Sequence, residues 1–94
     1  MAKKTGKPPA LEIPTRGPSQ LGHAIGRYRA RSKLSQTALA KSAGVRQATL
    51  SKVEKGVGTT ALQTLYSVCA ALGLEVVLRP RDPRDREDKI EDLF

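Results

Sequence analysis

Apolar positions along the chain recur with two different periods. Leu21, Ile25 and Tyr28 fall at helical spacing with Ala24 beside them, which makes one face of an α-helix. Ser19, directly after Pro18, is suited to cap it, so the pattern predicts a helix over about 20–32. Leu39 and Ala40 give the inner side of a second helix over 36–43, capped by Ser35 and ended by Gly44 in a left-handed conformation. A third, over 46–55, turns Leu50 and Val53 inward and stops at Gly56. Val45 and Leu50 are spaced to clasp its entry as a hydrophobic staple. Thr60-Ala-Leu-Gln63 reads as a capping box that opens a fourth helix to about Leu72. Its inner stripe is expected to be Leu62, Leu65, Cys69 and Leu72, with Tyr66 alongside. After Gly73 the period drops to two. Leu74, Val76 and Leu78 alternate with Glu75, Val77 and Arg79 until Pro80, the pattern of a half-buried strand.

The expected fold class is therefore mainly α: a four-helix domain over residues 19–73, followed by one C-terminal strand over 74–80. A solitary strand leaves its backbone donors and acceptors unpaired. Pairing with its copy in a second subunit, through Leu74, Val76, Val77 and Leu78, satisfies them by two-fold symmetry. The alternative is an extension packed flat on the helices. Gly22 and Gly26 sit four apart in the first helix, where each costs roughly 1 kcal/mol against Ala. A neighbouring backbone packed close against that face is one reason to keep them.

Both ends lie outside this domain. Residues 1–18 hold four of the six prolines, three lysines and two glycines, too little apolar surface to offset the entropy of ordering. They are expected to form a flexible basic arm, either without function or tracking phosphates and reaching a minor groove. Residues 81–94 mix charges until Ile90, Leu93 and Phe94. Such a tail is normally solvated, but its apolar cluster is spaced to dock in a partner's groove as one helical turn.

Charge changes the picture more than composition does. The chain carries a net charge of +8, divided as +7 over residues 1–34, +3 over 35–73 and −2 over 74–94. A basic body points to a polyanionic partner, and the acidic tail to a different one. Three aromatic residues and no Trp disfavour a base-stacking single-strand binder, leaving duplex. Cys69 is the only cysteine, which excludes an intrachain disulfide and suits a reducing cytoplasm. On burial preference it is a small core residue rather than a nucleophile. His23 stands alone and is expected at the surface. No metal or cofactor site is expected, and no paired acids, nucleophile–base set or phosphate loop suggest an enzyme. No apolar run approaches a membrane span, and the N-terminal lysines precede no apolar stretch of a secretory signal.

Two short helices joined through Ser42-Ala43-Gly44-Val45 are the signature of a helix-turn-helix, whose second helix enters the major groove. With Leu50 and Val53 inward, Arg46, Gln47, Ala48, Ser51, Lys52 and Lys55 are left at the open surface and Thr49 at its edge. These side-chain types suit base edges: Gln pairs with adenine N6/N7, Arg or Lys with guanine, and Ala touches a thymine methyl. Gln36 and Thr37 open the second helix, where side chains and backbone N–H groups meet phosphate.

On these residues the chain resembles a known family. Gln36, Leu39-Ala40, Gly44-Val45, Gln47, Leu50-Ser51, Val53-Glu54 and Gly56 stand where the DNA-binding domain of phage repressors and their bacterial (XRE-like) relatives has them. That domain usually has five helices and is shortened here to four. The resemblance covers residues 19–73. It implies that Gln36 contacts phosphate, that Gln47 reads bases with Arg46, Ala48 and Lys52, and that Arg29 pairs with Glu54 to tie the first helix to the third. Ala38 departs from the pattern, which usually has Glu there, so Ser35 caps alone. With Leu74–Pro80 and the short tail added, the layout is similar to HipB-like antitoxins. That narrower resemblance implies a homodimer joined by its strands, a roughly palindromic double-stranded DNA operator, repression of its own operon, and a HipA-like serine/threonine kinase toxin as partner. The long basic arm is not a usual part of that layout. The alternatives are a free-standing phage-like regulator without a toxin, and a module that binds only protein.

Overall fold

Pro18, rather than Ser19, opens the first helix. The computed structural model describes residues 12–82, and within them four helices follow one another: α1 Pro18–Arg31, α2 Gln36–Ala43, α3 Gln47–Lys55 and α4 Leu62–Ala71. Gly17 takes the N-cap position with extended backbone and makes no side-chain cap. Proline at the first helical position needs no N–H and already has a helical φ, which moves the boundary one residue ahead of the serine expected to cap. Gln20, in the first turn, reaches back instead and accepts from the Arg16 N–H at 2.7 Å. Ser35 caps α2 as expected, its hydroxyl oxygen accepting from the Ala38 N–H at 3.0 Å.

The helices meet around a small apolar centre. Ile25, Leu39, Leu50 and Val68 are fully buried, one from each helix, and each contributes roughly 1.5–3 kcal/mol of transfer free energy. Val45 packs against this centre from its place just before α3, as a staple to Leu50 requires. Gly22 explains how α1 comes so near α3. A β-carbon there would run into the Val53 carbonyl oxygen and lie 2.6 Å from that of Glu54, so the close approach anticipated from the glycine pair is real.

The fourth helix departs from expectation twice. The capping box does not form: Ala61 is the N-cap, without a side-chain bond. Thr60 is thereby left outside the helix and Gln63 at its second position, so the reciprocal pair is out of register. The inner stripe also differs at one position. Val68 is fully buried and Cys69 nearly so, whereas Leu62 is 71% and Tyr66 53% exposed. Leu65, Cys69 and Leu72 hold as inner positions, and Val68 takes the place expected of Leu62, the first residue of the helix. Cys69 is the core residue the sequence suggested, and burial pushes its thiol pKa up.

Beyond α4 the chain runs through Gly73 into residues 74–82, and no strand occurs among the described residues. The half-burial read from alternation holds for Leu74 alone; Val76, Val77 and Leu78 are exposed. They are therefore not packed flat on the helices either. A strand is defined by its ladder, and nothing within the described chain offers one to this segment. At the other end, Ile13 is half-buried and Glu12 lies 3.6 Å from Arg79 in an exposed ion pair.

Candidate nucleic-acid interface

Gly44 fixes the relation between α2 and α3. It ends α2 at φ 74°, where an L side chain is strained, and the Val45 N–H returns to the Ala40 carbonyl at 2.9 Å. The chain turns within a few residues and re-enters a helix at Gln47, with Arg46 at its N-cap. The first turns of α2 and α3 are thereby brought side by side.

The contact between them is specific. Gln47 Nε2 donates to Gln36 Oε1 at 2.7 Å, linking the first residue of one helix to the first of the other. Gln36 Nε2 in turn donates to Glu54 Oε1 at 3.0 Å. Glu54 is gripped by Arg29, through Nε to Oε2 at 2.7 Å and NH2 to Oε1 at 3.1 Å. The four residues make one chain of hydrogen bonds from α1 through α3 and α2 to the open surface. Burial pushes the Glu54 carboxyl pKa up, but hydrogen bonds from Arg29 and Gln36, with the Arg29 charge, outweigh it and hold it below the usual value. The hydrogen bond to Glu54 raises the Arg29 pKa, against a smaller lowering by burial.

Arg46 occupies the N-cap of α3 without capping it by its side chain. Thr37, Arg46, Gln47, Ala48, Lys52 and Lys55 are exposed; Gln36, Thr49 and Ser51 are half-buried. Leaving the first amides of α3 without a side-chain acceptor suits a face that meets anions. His23 is exposed, as expected. Among the described residues no cluster of three His, Cys, Asp or Glu side chains offers a metal site, and no helix is long and apolar enough to cross a membrane.

The bond from Gln36 to Glu54 lies beyond the sequence expectation, in which Glu54 pairs with Arg29 alone. A signal for it exists. Glu54 lies seven residues, two helical turns, beyond Gln47 and so on the same face of α3. The expected docking cluster Ile90, Leu93 and Phe94 and most of the basic arm lie outside the described residues.

Two short helices joined by a glycine turn, with polar first turns in contact, define a helix-turn-helix domain. The chain belongs to the Helix-turn-helix family, whose pattern it matches over residues 25–78. It is similar to the antitoxin HipB of Escherichia coli O6:H1 (strain CFT073), with 34% identity over 61 residues, 65% of each chain. It thus spans just under two thirds of that relative's length. Among solved structures it is similar to HipB in complex with an O2 20mer (TM-score 0.69, 29% identity, 78% of this chain and 100% of that one). It is also similar to a chain of a HipA-HipB-O2-O3 complex (TM-score 0.68, 30% identity, 73% and 97%).

Proposed function

We propose that the chain is a dimeric, sequence-specific DNA-binding repressor that serves as the antitoxin of a HipA-like kinase toxin and represses its own operon. The observation that carries the DNA-reading part is the 2.7 Å bond between Gln36 and Gln47. It locks two amides at the exposed N-termini of adjacent helices, Gln36 beside the phosphate path and Gln47 toward base edges. Arg46, Ala48, Ser51 and Lys52 extend the base-facing surface, and Thr37, Thr49 and Lys55 flank it. The net positive charge supplies the nonspecific attraction.

Two such surfaces are needed for a palindromic site, with recognition helices about 34–36 Å apart. The exposed run Val76–Leu78, with Leu74 before it, is the surface through which a second copy joins by strand pairing. The second partner is supported by the likeness to a HipB that is solved together with HipA. The acidic tail ending in Ile90, Leu93 and Phe94 is the segment offered to it, and the soluble complex works in the cytoplasm.

A gel shift on the DNA upstream of the gene tests this reading. Gln47→Ala is expected to weaken binding there by roughly 1–3 kcal/mol and to leave random DNA nearly unaffected. Equal losses on both would reject base reading, and no shift at low salt would reject DNA binding. Copurification of a kinase from the native host tests the antitoxin half; a chain that comes out alone is a free-standing regulator.

A further inference from the structure

Gln36 and Gln47 both carry primary amides, whose oxygen and nitrogen ends are nearly equal in size and exchange by a half-turn of the group. Their mutual contact alone allows two arrangements, related by turning both amides over. Glu54 removes one of them. A carboxylate accepts and never donates, so the end of Gln36 that reaches Glu54 at 3.0 Å is its nitrogen. The Gln36 oxygen is then left for Gln47, which has to present Nε2 to it at 2.7 Å. The carboxylate is itself immobilised by Arg29, and its side chain is only 10% exposed.

We propose that Glu54 is a specificity-determining positioning residue: by setting the polarity of the Gln36 amide it sets that of Gln47, and thereby which way round Gln47 accepts a base pair. The inference rests on the base-reading role of Gln47 given above. Once one Nε2 hydrogen is engaged by Gln36, Gln47 has one N–H and its oxygen left to show the groove, the donor on a fixed side. Adenine presents N7 as acceptor and its N6 amino group as donor side by side in the major groove. An amide of fixed polarity fits that edge in one sense. The inverted amide sets donor against donor and acceptor against acceptor. Glu54 itself does not reach the base; it acts two hydrogen bonds away.

Selection from a pool of duplexes of random sequence tests this. The full chain is expected to enrich one base pair at the position Gln47 reads, preferring it about tenfold over the reversed pair. In Glu54→Gln the carboxylate becomes an amide that offers Gln36 either a donor or an acceptor, so both orientations of that pair are expected to bind about equally. Because Glu54→Gln also weakens the grip of Arg29, Gln36→Leu provides the same test with the ion pair untouched. It too is expected to lose the preference at that one position, with a uniform loss of affinity from the missing phosphate contact, while its melting temperature stays near that of the parent. A structural role for Glu54 moves affinity for all sequences together. Uniform weakening in Glu54→Gln, or an undiminished preference in Gln36→Leu, overturns the inference. A parent chain that enriches no sequence overturns the base-reading role of Gln47 as well, a result distinct from either.

Discussion

Arg29 holds both carboxylate oxygens of Glu54, and its remaining nitrogen, NH1, donates to the Leu34 carbonyl at 2.9 Å. One guanidinium therefore ties the last part of α1 to the last turn of α3 and to the loop entering α2. Removing it strands a carboxylate whose side chain is only 10% exposed. Arg29→Met is expected to cost about 2–4 kcal/mol at neutral pH, toward the lower end for a pair that is partly open to water. The pH dependence has a definite sign. The folded pKa of Glu54 lies below its unfolded value, so the pair stabilises fully above the ordinary carboxylate range and loses its contribution as pH falls through the folded pKa. In Arg29→Met the stranded carboxyl is relieved by protonation. The stability gap between variant and parent, read by urea denaturation at a series of pH values, should narrow below the ordinary carboxylate range. A gap independent of pH would show that the ion pair is not its source.

Gly22 and Gly26 face the same helix but at different depths. At Gly22 a β-carbon meets rigid backbone, the carbonyls of Val53 and Glu54; at Gly26 it meets the Glu54 side-chain oxygen at 3.3 Å. Backbone cannot yield without moving a helix, whereas the Glu54 side chain, though held by Arg29, has to give only a few tenths of an ångström. Gly22→Ala should destabilise by about 3 kcal/mol or more. For Gly26→Ala the gain in helix propensity, about 1 kcal/mol, offsets the crowding and leaves a small net change. Equal urea midpoints for the two variants would contradict this account of how α1 and α3 meet.

Legibility in the sequence followed the strength of the local signal. Gly44, Gly56 and Ser35 mark their helix ends in the chain, because the left-handed stop and the serine cap are properties of one or two residues. Leu39, Ala40, Leu50 and Val53 were readable as core for a related reason: their helices are short and have one apolar side each. α4 was harder, since it is apolar nearly all round. Periodicity alone then leaves the inner side open, and Val68 takes the place expected of Leu62. Exposed Arg46, Gln47, Ala48 and Lys52 were legible by elimination once the core side was set. The bond from Gln36 to Glu54 was not, because it joins residues eighteen apart and depends on the angle between two helices.

Lys33 stands in a position that the other helix ends give to glycine. Each of the four helices closes with a left-handed residue, Gly44, Gly56 and Gly73 after α2, α3 and α4, and Lys33 at φ 60° after α1. The backbone bonds are alike as well: Leu34 N–H to the Arg29 carbonyl at 3.2 Å matches Val45 N–H to the Ala40 carbonyl at 2.9 Å. A β-carbon in this conformation costs about 1 kcal/mol or more, partly recovered by the lower entropy of the unfolded lysine chain. Lys33→Gly should stabilise by roughly 0.5–1 kcal/mol, raising the melting temperature by a few degrees. A drop in melting temperature would mean that the lysine side chain, exposed as it is, makes a compensating contact.

In the proposed dimer, strand geometry makes neighbouring positions unequal. Val76 is 45%, Val77 66% and Leu78 92% exposed, a run of large apolar side chains that a second copy would cover. In a two-stranded pairing, backbone N–H groups point alternately toward the partner strand and toward solvent. Of two successive residues, therefore, one gives its N–H to the ladder and the other does not. Proline removes that donor, so Val76→Pro and Val77→Pro should behave differently: one should sediment as a monomer, the other still as a dimer. Specific DNA binding should fall in the monomeric variant alone, since only a pair of recognition helices spans a two-fold site. Two variants that both remain dimeric would exclude strand pairing, and the exposed Leu62 and Tyr66 would then be one apolar surface, among the described residues, open to a second copy.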